Sequence, residues 1–216
     1  MKNIIVITAF LSMLVFGCKK KDDTTPEPET TTTTTGSTTG TNPVTIGISS
    51  TPQVQFTLNG TSYSYIESMT APAVGNGQSI MGTTATATVG TDYFNSAGEI
   101  IKIEKGTYAY NSGSSVSYDD QFDNFFAKTS FPYSVNSANG ITITWYDASG
   151  NPWSTDNGSQ TGSSFTIIDK VKDYLRNGNG FLEMKVYASF NCKVYNTSGA
   201  SKTITNGKFV GYYSNN

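Results

Sequence analysis

Phe181-Leu182-Glu183-Met184-Lys185-Val186-Tyr187-Ala188-Ser189-Phe190-Asn191-Cys192-Lys193-Val194-Tyr195 alternates without a break. Leu182, Met184, Val186, Ala188, Phe190, Cys192 and Val194 fall on one side. Glu183, Lys185, Tyr187, Ser189, Asn191, Lys193 and Tyr195 fall on the other. Side chains of a strand point to opposite faces in turn, so a two-residue period means one covered face and one wet face. This stretch is a long, half-buried antiparallel strand. Asn196-Thr197-Ser198-Gly199 is a turn signal that ends it, and Lys202 to Thr205 returns beside it. Asn206-Gly207 predicts a further hairpin, with Lys208 to Tyr213 as the last strand.

The same reading works outward. Ile141, Ile143 and Trp145 share one side of a second alternating strand. Asp147 to Pro152 turns the chain, and Trp153 starts the return. Ser163 to Ile168 is another strand. Asp169 to Arg176 reads either as one helical turn or as its continuation, and Asn177 to Gly180 as a loop. Upstream, Gln53 to Leu58 and Thr61 to Ile66 flank the hairpin signal Asn59-Gly60. Ser79 to Val89, Glu99 to Glu104 and Thr107 to Tyr110 complete the strands. One segment breaks the period. Asp119 to Lys128 sets Phe122, Phe125 and Phe126 at helical spacing, with Asp119 as the expected N-cap. The expected fold is all-β, an antiparallel β-sandwich with one short helix, with a closed barrel as the alternative.

Composition agrees. The chain has 216 residues, with 14 Lys and Arg, 16 Asp and Glu, and no His. The net charge of −2 and the absence of a basic patch in the domain argue against nucleic acid as a partner. Residues 44–216 suit one β-sandwich domain with a real core. Residues 18–43 are, after Cys18 and the charged run Lys19 to Asp23, almost all Thr, Pro, Glu, Gly and Ser, with Thr at every position from 30 to 35. Such a segment has no apolar face to offset ordering entropy, and reads as a disordered tether.

Residues 1–17 read as a signal peptide. Lys2 gives the positive start, and Ile4 to Phe16 an apolar run too short to span a bilayer. Val15-Phe16-Gly17-Cys18 resembles a lipobox, which implies lipidation of Cys18 and a membrane anchor made of acyl chains alone. Plain secretion is the alternative. Lys21-Asp22-Asp23 resembles the export signal that carries Bacteroidota lipoproteins to the outer face of the outer membrane. Asp23-Thr24-Thr25 fits the O-glycosylation pattern of the same phylum. With Cys18 lipidated, Cys192 has no intrachain partner and is expected to be a buried, inert thiol.

Three stretches carry a wider resemblance. They are Gly140-Ile141-Thr142-Ile143-Thr144-Trp145-Tyr146-Asp147 through Trp153-Ser154-Thr155, Gln160-Thr161-Gly162-Ser163-Ser164-Phe165, and Phe190 to Tyr195 followed by Thr205-Asn206-Gly207-Lys208-Phe209. With the N-terminal signal, they resemble uncharacterised Bacteroidota surface lipoproteins having a single β-rich extracellular domain. The resemblance implies cell-surface exposure and carries over no activity and no site.

The chemistry follows by exclusion. Without His, His-based triads, Cys-His pairs and His-ligated zinc sites are excluded. A carboxylate pair for glycan hydrolysis would come from Glu67, Glu99, Asp147 and Asp156, with turn roles favoured for the last two. Asp147, Ser149 and Asn151 are spaced like the start of a calcium loop, and Asp119, Asp120 and Asp123 form a second acidic group. In both cases a hairpin turn or a helix start is the simpler reading. Trp145, Tyr146, Trp153, Tyr187 and Tyr195 are the candidate ligand-binding residues, since sugar stacking needs aromatic faces beside amides and hydroxyls. Cross-strand pairing is the competing role of each. The expectation is therefore a surface-anchored binding or adhesion module for glycans or an envelope protein, not an enzyme. A carboxylate glycan-processing enzyme and a structural envelope protein are the alternatives.

Overall fold

The computed structural model describes residues 47–67, 74–76, 84–134, 140–173 and 182–214. All lie in the unit Asn42–Asn216. The expectations for the signal peptide, Cys18, the tether and the loop at 177–180 lie outside the described residues.

The described chain is all-β and antiparallel with one short helix, as expected. Its strands are β1 Gln53–Leu58, β2 Thr61–Ile66, β3 Val74–Asn76, β4 Thr84–Phe94, β5 Ile100–Asn111, β6 Ser130–Phe131, β7 Gly140–Tyr146, β8 Pro152–Ser154, β9 Ser164–Asp173, β10 Glu183–Tyr195 and β11 Ser201–Ser214. The helix α1 is Tyr118–Phe125. The strands form one continuous ladder, β2-β1-β11-β10-β8-β7-β5-β4-β3, with β9 bonded to β10 and β6 to β9. The layers thus come from one curled sheet. Across the curl, Thr91 Oγ1 of β4 donates to the Tyr212 carbonyl of β11, and Tyr213 Oη donates to the Ile103 carbonyl at 3.3 Å.

The deciding alternation is realised on β10. Every apolar member from Leu182 to Val194 is at most 4% exposed. Val54, Phe56, Ile101, Ile103, Ile143, Phe165, Ile204 and Phe209 meet them in one core. The ambiguous stretch after Ile168 continues as strand to Asp173.

Two local expectations are corrected. The helix cap is Ser117, not Asp119. Ser117 Oγ accepts from the Asp120 backbone N–H at 3.2 Å, satisfying a donor of the first turn. Phe122 and Phe126 point into the core as the spacing required. Asn206-Gly207 is not a hairpin. Both halves of Ser201–Ser214 pair with β10, so the dipeptide lies inside one strand. Thr205 and Asn206 together oppose Asn191, and Asn206 takes φ +54. The left-handed residue that would close a hairpin here makes a β-bulge, which bends the strand. Gly207 is required because a Cβ there would sit 2.5 Å from the Phe190 ring. The true two-residue hairpin is Asn59-Gly60, between Leu58 and Thr61.

Among the described residues, one core residue is charged in water. Lys105 of β5 is fully buried, with Nζ 3.9 Å from the ring centroids of both Phe125 and Phe131. Burial brings its amine down to about 7.

Candidate functional site: a polar row across the outer face

Registers place side chains in rows, since directly opposed residues share a face. Thr166 of β9 opposes Ser189 of β10, Ser189 opposes Lys208 of β11, Lys208 opposes Gln55 of β1, and Gln55 opposes Ser64 of β2. Ser130 of β6 extends the row, its Oγ 2.9 Å from Thr166 Oγ1. Six strands thus contribute one transverse line of hydroxyls, an amide and an ammonium group, on the face opposite the core. At about 4.8 Å between strands, the line is roughly 24 Å long.

The bulges shape it. β9 carries an irregularity opposite Tyr187 and Ala188, and β11 carries the Asn206 bulge opposite Asn191. Two depressions follow the row and share Asn206 and Lys208. One, about 320 Å³, is lined by Ser164, Ile168, Ser189 and Asn191. The other, about 380 Å³, is lined by Gln55, Thr57, Ser62 and Ser64. Asn191 is held in place. Its Oδ1 accepts from the Ser164 backbone N–H at 3.0 Å, and its Nδ2 donates to Ser164 Oγ at 3.1 Å. Gln55 is oriented by donating Nε2–H to Gln53 Oε1 at 2.8 Å.

The aromatic candidates disperse. Trp145 is corrected: it is 2% exposed and donates its indole N–H to Tyr65 Oη at 3.0 Å, so it offers no face to a ligand. Ile141 and Ile143, on its own side of β7, share its burial. Trp153 opposes Trp145 and packs half-buried against the same core, with Lys202 Nζ 4.3 Å from its ring centroid. Tyr146 is half-buried on the other face. It stands in a row with Phe94, Ile100 and Pro152, away from the polar line. Tyr195 is engaged by the segment between β8 and β9: Oη donates to the Ser159 carbonyl at 2.6 Å, and a Cβ on Gly158 would lie 2.6 Å from its ring. Tyr187 alone among the five borders the site. It shares the outer face of β10 with Ser189, next along that face, and its hydroxyl is held above its ordinary value by burial and by Asp169.

The carboxylates are occupied. Asp147 Oδ1 accepts from the backbone N–H groups of Ser149 and Asn151 at 3.0 Å each, and Oδ2 from Trp153 Nε1 at 3.3 Å. The Asn151 backbone N–H is the first cause holding this carboxyl below its usual range. Asn151 also turns its Nδ2 donor, not its oxygen, toward that carboxylate. Asp147, Ser149 and Asn151 therefore make a self-satisfied hairpin turn, the simpler of the two roles expected of them. Asp120 pairs with Lys172 at 2.9 Å and Asp123 with Lys170 at 2.8 Å, so these two tie α1 to β9. Among the described residues no group of three or more His, Cys, Asp or Glu side chains is placed to hold a metal. Asp156 accepts from Thr142 Oγ1 at 2.9 Å. Asp156 and Asp147 are thus held by separate sets of hydrogen bonds, each in the turn role expected of it. Glu99 accepts from Asn95 Nδ2 at 2.7 Å, at the β4–β5 turn.

Sequence reasoning missed Thr166, Ser189, Asn206, Lys208, Gln55 and Ser64 as a group. The one available signal was the uncharged stretch Tyr187, Ser189 and Asn191 in the middle of the polar side of β10. Their partners come from strands far away in the chain. Neither a family model, nor a curated protein, nor a solved structure matches the chain.

Proposed function

We propose that this chain is a cell-surface lipoprotein whose domain binds an extended glycan along the row Ser130–Thr166–Ser189–Lys208–Gln55–Ser64. The observation that carries the reading is the row itself. Hydroxyl and amide groups repeat at strand spacing, with concave ground on either side of Asn206 and Lys208. Carbohydrate recognition needs convergent donors and acceptors of this kind, with a cation where a sugar carries acid. Tyr187 supplies the adjoining ring. The lipobox-like Val15-Phe16-Gly17-Cys18 and the Lys21-Asp22-Asp23 signal support anchoring through Cys18 and exposure outside the outer membrane.

The test is a glycan array followed by calorimetry on the full chain carrying Cys18→Ala, which keeps it free of lipid. Oligosaccharides are expected to bind better than their monosaccharides. Asn206→Gly keeps the left-handed backbone and removes the amide. Lys208→Ala removes the cation. Each should weaken binding tenfold or more. An array without a hit, or unchanged affinity in both variants, refutes the assignment.

A further inference from the structure

The sheet leaves its edges in three different conditions. β3 is three residues long. The end of β9 beyond its pairing with β6 carries Asp169, Lys170, Lys172 and Asp173. Short edges and charged edges are the usual protections against unwanted strand addition. β2 has neither. Thr61-Ser62-Tyr63-Ser64-Tyr65-Ile66 holds no charge, no Pro and no bulge, and pairs with β1 in unbroken register. It ends the sheet path. It comes near β4 without pairing with it, so among the described residues no strand covers its outer edge.

The hydrogen-bond phase shows which groups face outward. Glu67 N–H donates to the Pro52 carbonyl at 2.9 Å, so the odd residues of β2 exchange bonds with β1. In an antiparallel pair, bonded and non-bonded positions alternate. Ser62, Ser64 and Ile66 therefore direct their backbone N–H and C=O groups to the open edge. Ile66 is also 50% exposed, large for an isoleucine.

We propose that β2 pairs antiparallel with β2 of a second copy of this chain, Ser64 opposite Ser64. The strand suits itself. This register pairs Ser62 with Ile66 of the other copy, so all three outward residues are used on both sides. It opposes Tyr63 and Tyr65 across the inner face and brings no like charges together. A two-fold axis normal to the sheet follows, and both outer faces then lie on the same side. Ser64 also ends the polar row. The pairing joins the two rows end to end into one track, a consequence that rests on the glycan reading, whereas the pairing itself does not.

The experiment is sedimentation velocity over a concentration series, again on the full chain with Cys18→Ala. The expected result is a reversible monomer–dimer shift. Ser64→Pro removes one outward N–H, at an edge position that tolerates Pro, and should leave monomer at every concentration. Circular dichroism checks that this variant folds. Ser64→Lys, which sets like charges against each other, should weaken association at least tenfold without touching the backbone. Register is read by oxidative cross-linking. Ser64→Cys should form a disulfide dimer rapidly, and Ser62→Cys should not, since residue 62 faces Ile66. A wild-type chain that stays monomeric at the highest soluble concentration overturns the proposal. So does an undiminished dimer in Ser64→Lys, or equal cross-linking at 62 and 64. A dimer that binds no glycan leaves the pairing standing and sinks only the proposed function.

Discussion

Replacing Lys105 with Met removes the buried ammonium and keeps the length of the side chain. The wild-type amine moves from an ordinary 10.5 to about 7 because the core desolvates its charge. A depression of that size has a ceiling of about 4–5 kcal/mol. The faces of Phe125 and Phe131, each 3.9 Å away, return about 0.5–2 kcal/mol apiece. The net penalty is then about 1–3 kcal/mol at neutral pH. Its sign is fixed by linkage. The unfolded chain holds this proton more tightly, so stability rises as pH climbs from about 7 toward 10.5, and the full penalty persists below 7. Tyr65, Tyr108, Tyr133 and Tyr213 act at higher pH. Burial holds their hydroxyls above the ordinary 10, so their contribution is intact below that value and is lost as pH rises further. Urea melts between about pH 6.5 and 8 isolate the lysine, because the buried Cys192 thiol, held up to about 12, makes stability fall only as pH approaches the ordinary thiol value of 9. The wild type should gain stability across that window. Lys105→Met should be flat, and about 1–3 kcal/mol more stable at the acid end. An equal slope in both proteins would refute the reasoning, because the titrating group would then lie elsewhere.

Burial pushes the Cys192 thiol up to about 12, so maleimide should label it slowly in the native protein and quickly in urea; rapid native labelling contradicts the β10 register. Phe190→Ala should cost about 3–5 kcal/mol through the cavity it leaves, and Lys193→Ala, on the wet face, less than about 0.5 kcal/mol, both read from denaturant midpoints. Gly207→Ala drives a methyl to 2.5 Å from the Phe190 ring and should destabilise by about 1–3 kcal/mol; relief of that cost in the double variant with Phe190→Leu checks the cause. Cys18→Ala should abolish lipid labelling and release the protein from membranes, and unchanged palmitate incorporation would sink the anchor.

What could be read in the sequence was what depends on near neighbours. The β10 alternation, the phenylalanine spacing of α1 and the Asn59-Gly60 turn are all local patterns, and each appears in the fold. Asn206-Gly207 was illegible for a stated reason. A hairpin and a bulge both need a left-handed residue, and only the partners of the flanking segments tell them apart. Those partners are one strand, β10, which no local window reveals. Trp145 shows the opposite case. Its place beside Ile141 and Ile143 already put it on the covered face, and counting aromatics concealed this. The polar row was out of reach because its members come from residues 55 to 208 and converge only through pairing.

The bond between β1 and β11 also orders events in time. Leu58 pairs with Ile204, and β11 stands between β1 and β10 in the ladder. The first hairpin therefore has no strand to pair with until the last strand has been delivered. Closing so long a loop costs entropy before any contact repays it, and folds dominated by such pairings form slowly. A chain shortened at Tyr195 would lose the strand that joins the two sides of the ladder, and its β1–β2 hairpin would have nothing to add to. The ladder from β10 to β3 can form before β11 is present, but the β1–β2 hairpin joins it only through the last strand of the chain.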